Sequence, residues 1–296
     1  MELLWIPIAM GAGFFQAVRT AGQKALNAEL STWMVTYVRS LVGLPFMLVY
    51  LWAVVAWEGQ LWPPFEPWFF VYCAGTAISQ VVATYLLVRL FTMSNFAVGT
   101  MLTKTDVMLA AIIGTLFFSE AIDGMGWAAI ILTVVGVLLL SARNAGVTRL
   151  AAGPVAVGLA AALLFCLSYL CLREASLVLG DGPLIWRAAW SMVVVTTMQT
   201  VALGPWLLTR PVERAEFAAL PRLWKPVVFV GLTSALGSAG WFTAMALENA
   251  SYVKAVGQVE VIFTVLISTS YFRETITRLE YLGIATIVVA VLMFVL

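Results

Sequence analysis

Charged side chains interrupt two stretches of the chain that are otherwise long and apolar enough to cross a bilayer. Lys104 and Asp106 lie near the centre of residues 95–120. Glu260 lies near the centre of residues 249–274. A charge at the depth of the bilayer costs about 2.5–3.5 kcal/mol on insertion scales, so it usually faces a cavity or a partner. Such residues could take up a proton or bind a charged group of a solute.

The two stretches repeat one pattern without a gap. Asp106 corresponds to Glu260, and Glu120 corresponds to Glu274 at the same offset. The correspondence continues into the apolar segment that follows each stretch. Two copies of a charged membrane-spanning segment, one in each half of a chain, are typical of transporters built from structural repeats.

The charged residues within these apolar stretches have more than one possible set of partners. Lys104 and Asp106 are two residues apart on one helix, so their side chains cannot face each other and need different partners. One hypothesis pairs Asp106 and Glu260 each with an arginine of its own repeat, Arg39 or Arg187, because a long arginine side chain can reach inward. The other hypothesis is that at least one acid takes up a proton or a cationic group of the substrate during transport.

Polar residues on other predicted helices could line a cavity. Gln16, Arg19 and Gln23 are spaced by three and four residues and form one stripe along the first helix. A single polar residue can instead be a contact between helices, and Lys254 could extend to the membrane interface. The candidate substrate-binding residues are Gln16, Arg19, Gln80, Tyr85, Lys104, Trp241, Lys254 and Gln258.

Composition narrows the class of protein. Apolar residues make up 62% of the chain and charged residues 10%, far below the share of a soluble domain. The chain has no histidine, which excludes histidine-dependent metal sites and pH switches. The net charge of +1 and the lack of a basic tract exclude an obvious nucleic-acid surface. No Gly-rich Lys-Ser/Thr loop is present, so we expect gradient-driven transport without a metal or cofactor, with protons as a candidate coupling ion.

The apolar segments predict an all-α membrane protein with ten transmembrane helices, since a spanning helix needs about 20 mostly apolar residues. A repeat of five helices crosses the membrane an odd number of times, so its second copy must enter from the opposite side. We therefore predict two inverted-topology repeats, residues 1–146 and 147–296, in one membrane domain. The predicted helices cover residues 3–25, 33–57, 68–91, 96–118, 125–141, 153–177, 183–208, 226–247, 251–272 and 279–296.

Loop charges predict the orientation in the membrane. One set of alternating loops holds or borders most of the basic residues, among them Lys24, Arg89, Arg210 and Lys225. The charged residues of the loop between the second and third helices are all acidic. The positive-inside rule then predicts that the basic loops are cytoplasmic and that both termini lie outside.

These features together resemble the drug/metabolite transporter superfamily, and within it the EamA-type ten-helix exporters. The resemblance rests on the five-plus-five duplication, on Arg39 and Arg187 in the second helix of each repeat, and on Glu120 and Glu274 closing each fourth helix. The family commonly has Gly before that acid and a base after it, which Ser119-Glu120-Ala121 lacks. The resemblance implies a bacterial-type inner-membrane carrier with a central cavity, exporting amino acids or related metabolites.

Several functions remain compatible with this pattern. Bases and acids in one cavity suit a zwitterion or an organic anion, so a secondary transporter of an amino acid or related metabolite is the leading hypothesis. The main alternative is a multidrug or other small-molecule carrier. A cavity for cationic drugs would be expected to contain acids and aromatic residues without the three bases Arg19, Lys104 and Lys254. Two further alternatives are a membrane-embedded enzyme that uses a pair of acids, and a channel. Its partners would be a small-molecule substrate and the lipid bilayer, and a monomer and a homodimer are both open.

Overall fold

The computed structural model describes residues 3–59, 62–63, 65–93, 103–141, 152–263, 266 and 278–294. In this part of the chain the regular structure is helical, and there is no strand. The helices are α1 (Trp5–Leu26), α2 (Thr32–Glu58), α3 (Pro67–Met93), α4 (Asp106–Phe117), α5 (Gly124–Ser141), α6 (Ala152–Val178), α7 (Leu184–Leu208), α8 (Pro211–Glu216), α9 (Trp224–Leu247), α10 (Ala250–Gly257) and α11 (Arg278–Met293). Residues 259–263 are also helical.

The all-α fold is confirmed, and most predicted spans match a helix to within a few residues. The matching helices are α1, α2, α3, α5, α6, α7, α9 and α11. The fourth and ninth predicted spans fall partly outside the described residues, which lack 94–102 and 267–277. Their described parts are α4 for the fourth span and α10 with residues 259–263 for the ninth.

The outer surface of the helices is apolar. Trp52, Ile78 and Val201 are exposed although each lies inside a long helix. Helices α2, α3, α6, α7 and α9 are long and apolar enough to cross a membrane. A monomeric soluble protein rarely exposes so much contiguous apolar surface, whereas lipid tails solvate it without cost. The faces that do not pack inward are therefore suited to contact with lipid.

The two halves of the chain, residues 1–146 and 147–296, pack against each other reciprocally, so that equivalent helices make equivalent contacts. Helix α1 of the first half packs against α9 of the second, and α3 of the first half packs against α6 of the second. The second helices α2 and α7 pack against each other, as do the last helices α5 and α11. Each half therefore contributes to a shared centre, which neither could build alone.

Small residues allow the closest of these approaches. A side-chain carbon added at Gly240 would lie 2.9 Å from the Cβ atom of Ala12, where α9 crosses α1. A carbon added at Gly231 would lie 2.5 Å from Cγ1 of Val42, where α9 meets α2. Both distances are shorter than van der Waals contact, so these crossings need glycine. Close packing of small residues holds helices together where lipid removes the hydrophobic driving force.

The connection between α7 and α9 is tied to the start of α2. Helix α8 is followed by a single 3₁₀ turn at Phe217–Ala219. The Glu216 carboxylate accepts hydrogen bonds from the Ser31 backbone N–H at 2.9 Å and from the Ser31 hydroxyl at 2.8 Å. Glu29 and Arg222 form an exposed ion pair at 3.1 Å beside it. The α1–α2 and α7–α9 connections therefore lie at the same end of the helices.

Candidate functional site

Two buried ion pairs lie at the centre of the helices, and each one joins the two halves. The Lys104 ammonium group donates a hydrogen bond to Oε1 of Glu260, and both side chains are buried. Lys254 Nζ lies 3.6 Å from Oδ2 of Asp106, and Lys254 is only 1% exposed. Each central acid is thus neutralised by a lysine from the opposite half.

This pairing differs from one of the two hypotheses drawn from the sequence. That hypothesis paired Asp106 and Glu260 each with an arginine of its own repeat, Arg39 or Arg187. Among the residues that the structure describes, the acids pair with lysines of the other repeat instead. The physical reason is the reciprocal packing of the halves, which brings α4 against α10 across the interface between them.

The helices that carry these charges are interrupted at equivalent positions. Regular α-helix is absent at Lys104 and Thr105 just before α4, and at Gln258 just after α10. The Gln258 N–H donates to the Ala255 carbonyl and the Val261 N–H donates to the Gln258 carbonyl, which is the tighter i→i+3 pattern. Short 3₁₀ stretches inside helices often mark functional hinges. The charges therefore lie at a local irregularity in both repeats.

Gln16 connects Glu260 to the aromatic side of the site. Gln16 Nε2 donates to Oε2 of Glu260 at 2.7 Å, and Trp241 Nε1 donates to Oε1 of Gln16 at 2.9 Å. Lys254 Nζ lies 4.5 Å from the centre of the Trp241 ring and 4.2 Å from that of the Tyr169 ring. Two aromatic faces stabilise this desolvated ammonium group in addition to its carboxylate. Gln16, Trp241 and Lys254 were all predicted site residues.

Glycines on α1 and α10 make room for this arrangement. A side-chain carbon at Gly257 would overlap the Trp241 ring. A side-chain carbon at Gly13 would lie 2.9 Å from the Gly257 carbonyl oxygen. The backbone of α10 can therefore approach both α1 and the indole, which brings Glu260 within reach of Gln16.

A second polar cluster is centred on Arg39 and joins α2, α3 and α7. Arg39 Nη2 donates to Oε1 of Gln80 and to Oε1 of Gln199, both at 3.1 Å. Gln199 Nε2 also donates to Oε1 of Gln80 at 2.8 Å. Arg39 is 6% exposed, and within the described residues it has no acidic partner. This buried guanidinium group is oriented by two neutral amides.

Arg19 on α1 lies between the two clusters. It interacts electrostatically with Glu260 on one side and with Arg39 on the other. Its Nε atom is buried without a hydrogen-bond partner, and it forms no ion pair within the part of the chain that the structure describes. Gln23 lies one turn further along α1, is 4% exposed, and has an unpaired Nε2 atom. The predicted polar stripe of α1 therefore carries unused hydrogen-bond donors.

Gln258, Tyr85 and Arg187 were also predicted site residues. Gln258 is buried, and its Nε2 donates to the Lys254 carbonyl at 3.2 Å. Tyr85 stacks on Trp33, with the two ring centroids 3.9 Å apart. Arg187 lies at the start of α7, where it donates to the Ser176 carbonyl at 3.4 Å and interacts with Asp181.

Sequence reasoning missed Gln199 and Tyr169. Gln199 could have been found, because it is an amide inside a long apolar helix, as Gln80 is. Tyr169 carried no comparable signal, since aromatic residues are frequent in membrane helices. Its position beside both Asp106 and Lys254 is decided by how α6 packs against α4 and α10.

Glu120 caps a helix of the opposite repeat. Its carboxylate accepts hydrogen bonds from the Ala250 N–H at 2.8 Å and from the Ser251 hydroxyl at 2.5 Å, at the start of α10. Arg173 Nε lies 3.8 Å from the same carboxylate. An acid at a helix N-terminus satisfies free N–H groups and complements the helix dipole. Glu274, its counterpart in the sequence, lies outside the described residues.

The charges of the centre do not balance. Among the described residues it combines four bases (Arg19, Arg39, Lys104 and Lys254) with two acids (Asp106 and Glu260). No group of three or more His, Cys, Asp or Glu side chains in the described part of the chain could hold a metal ion. The arrangement can bind charged groups of a solute, with anionic groups favoured by the excess of bases.

A buried polar centre between two sets of apolar helices is typical of a polytopic membrane protein. The chain belongs to the EamA-like transporter family, whose model matches residues 3–142 and 153–296. It is therefore an integral membrane protein of a transporter family.

Comparison with solved structures agrees on the fold. One solved structure, described only as a crystal structure of a protein, superposes with a TM-score of 0.74 at 13% sequence identity. The alignment covers 99% of this chain and 96% of the other. Comparison with curated proteins gives no match.

Proposed function

We propose that the protein is a gradient-driven secondary transporter of a small polar metabolite that carries a carboxylate, such as an amino acid, a related zwitterion or an organic anion. Ten spanning helices form two inverted five-helix repeats, and the repeats rock around the site to give alternating access. The reciprocal packing of α1 with α9 and of α3 with α6 supports a twofold relation between the repeats. The proposal places the protein in a bacterial-type inner membrane, as an exporter.

One observation carries the proposal, namely that both central ion pairs cross between the halves. Lys104 meets Glu260, and Lys254 meets Asp106. A solute carboxylate can replace Glu260 at Lys104, and a solute ammonium group can replace Lys254 at Asp106. Exchange of internal partners for solute groups couples binding to the relative position of the halves, because each pair spans the interface that must open. The differential contacts needed for a conformational shift are thus available.

Glu260 is the residue that we propose for proton coupling. Its carboxylate oxygens accept hydrogen bonds from Lys104 and Gln16. Protonation would remove its charge, weaken the contact with Lys104 and free that ammonium group for a solute anion. A buried carboxylate with an exchangeable partner is a common element of proton relays in transporters.

Flux into proteoliposomes tests the function. Wild-type protein should move at least one amino or organic acid down an imposed gradient. Lys104→Ala should lower the initial rate by about tenfold or more, because losing a hydrogen bond to a charged group costs about 1.5–3 kcal/mol. Lys225→Ala is the matched control, since Lys225 is exposed at the start of α9.

Two results of this assay would contradict the proposal. One is the absence of flux for every amino and organic acid tested, together with normal thermal unfolding of the protein. The other is transport of cationic dyes alone with no effect of Lys104→Ala, which would favour the multidrug alternative.

A further inference from the structure

The Arg39 cluster has donors that no described residue uses. Both hydrogen bonds of Arg39 leave from Nη2, one to Gln80 and one to Gln199. The N–H groups on Nη1 and Nε make no hydrogen bond within the described residues. Each of these groups can donate a charge-assisted hydrogen bond to an anionic oxygen. Because Gln199 also bonds Gln80, the two amides hold the guanidinium plane in one orientation.

Arg19 and Gln23 add further donors on the adjacent face of α1. Arg19 is close enough to Arg39 for the two charges to interact. Arg19 Nε and Gln23 Nε2 are both buried and lack a hydrogen-bond partner. Buried polar groups are nearly always hydrogen-bonded, so a group of unpaired donors needs an explanation. A ligand that supplies acceptors explains all of them together.

Each acid of the centre lies next to a lysine, whereas Arg19 and Arg39 form no ion pair among the described residues. Asp106 and Glu260 are engaged by Lys254 and Lys104. Arg39 is buried and Arg19 is partly buried, and two like charges that interact without a counter-charge destabilise each other. A neutral zwitterion would add as much positive as negative charge and leave this imbalance unchanged. A solute with net negative charge would correct it.

We infer that Arg19 and Arg39 bind a carboxylate of the transported solute, and that the solute carries a net negative charge, as a dicarboxylate or an acidic amino acid does. Gln80 and Gln199 are positioning residues, which act by orienting Arg39. This inference rests on the proposed function, since it identifies the substrate class of the same central site.

Binding to purified full-length protein tests the inference separately from transport. Titration calorimetry in detergent would compare succinate, glutamate, alanine, lysine and inorganic phosphate. We expect succinate or glutamate to bind about tenfold or more tightly than alanine, and lysine not to bind. Arg39→Gln and Arg19→Gln should each weaken that binding by about tenfold or more. Arg222→Gln, at a residue whose side chain is 75% exposed, should not change it.

A second variant guards against loss of the fold. Gln199→Glu would place a carboxylate beside Arg39 and neutralise it internally, so it should abolish succinate or glutamate binding while the thermal unfolding midpoint stays equal or rises. Arg39→Lys keeps the charge but removes the guanidinium N–H groups that Gln80 and Gln199 orient, and it should weaken binding as Arg39→Gln does.

Each alternative outcome overturns the inference. Tight alanine binding that is unchanged in Arg39→Gln would show that the solute is a neutral zwitterion held elsewhere, and the proposed function would stand. Binding of phosphate but of neither dicarboxylate nor glutamate would assign the arginines to a tetrahedral oxyanion. Anion binding that persists in a stable Gln199→Glu variant would exclude Arg39 as the anion-binding group. Failure of the proposed function itself is read separately, as the absence of flux in proteoliposomes.

Discussion

At the scale of single residues, the site depends on charges whose partners come from the other half of the chain. Lys104 and Glu260 are 156 residues apart in sequence, yet they share a buried hydrogen bond. Attraction between buried charges is offset by their desolvation, so an intact pair adds little net stability. Removal of one partner is different, because it leaves the other charge buried without compensation. Such pairs therefore favour one arrangement of the halves more than they stabilise the fold.

Lys104→Met should lower the free energy of unfolding by about 3–5 kcal/mol, because Glu260 then loses the counter-charge of Lys104. Addition of Glu260→Gln should restore most of that loss, since the double variant removes both charges of the pair. The exposed pair Glu29–Arg222 provides the comparison, and Arg222→Met should change stability by less than about 1 kcal/mol. Thermal and denaturant unfolding in detergent would measure all three. A double variant that is as unstable as Lys104→Met would contradict the assigned pair.

At the scale of elements, the site depends on how closely α10 approaches α1 and α9. The absence of a side chain at Gly257 allows Trp241 to lie against α10. That position lets the indole donate to Gln16 and cover Lys254. Glu260 follows the break after Gly257 and accepts a hydrogen bond from the same Gln16. One close helix contact thus sets the geometry of several polar groups.

Gly257→Ala should displace the Trp241 ring and weaken both of its contacts. Overpacking of this kind costs about 1–3 kcal/mol, and we expect a lower melting temperature together with slower transport. Gly11→Ala on α1 is the matched control, because no atom lies within 4 Å of the added carbon. Alanine is favoured over glycine inside a helix by about 1 kcal/mol, so this control should be neutral or stabilising. Equal melting temperatures for the two variants would show that the α10–Trp241 contact is adaptable.

At the scale of the whole molecule, loop charges and helix direction together predict an orientation in the membrane. The α1–α2 connection and the α7–α9 connection lie at one end, since Glu216 binds Ser31 and Glu29 pairs with Arg222. Arg210, Arg214, Arg222 and Lys225 are all at this end. The first helix starts at the opposite end, where Arg173 and Glu120 hold the start of α10.

Because basic loops remain in the cytoplasm, we predict that both termini lie outside it. A reporter enzyme that is active only outside the cytoplasm should be active when fused after residue 296, and a fluorescent reporter that folds only inside should stay dark there. Fusion within the α7–α9 connection should give the reverse pattern. Fluorescence of the carboxyl-terminal fusion would contradict the predicted orientation, while the description of the helix packing would still hold.

The amino-acid sequence by itself determined that the protein is an all-α membrane protein built from two repeats, with polar residues at bilayer depth. These features could be read from the chain because apolar length and residue spacing are local properties. Gln16, Arg19, Lys104 and Lys254 were recognisable for the same reason, as polar groups where lipid would otherwise be. Only the tertiary structure decided that Asp106 meets Lys254, that Glu260 meets Lys104, and that Arg39 is held by two amides. Pairing between buried charges depends on which helices cross, and no pattern within a single helix records that.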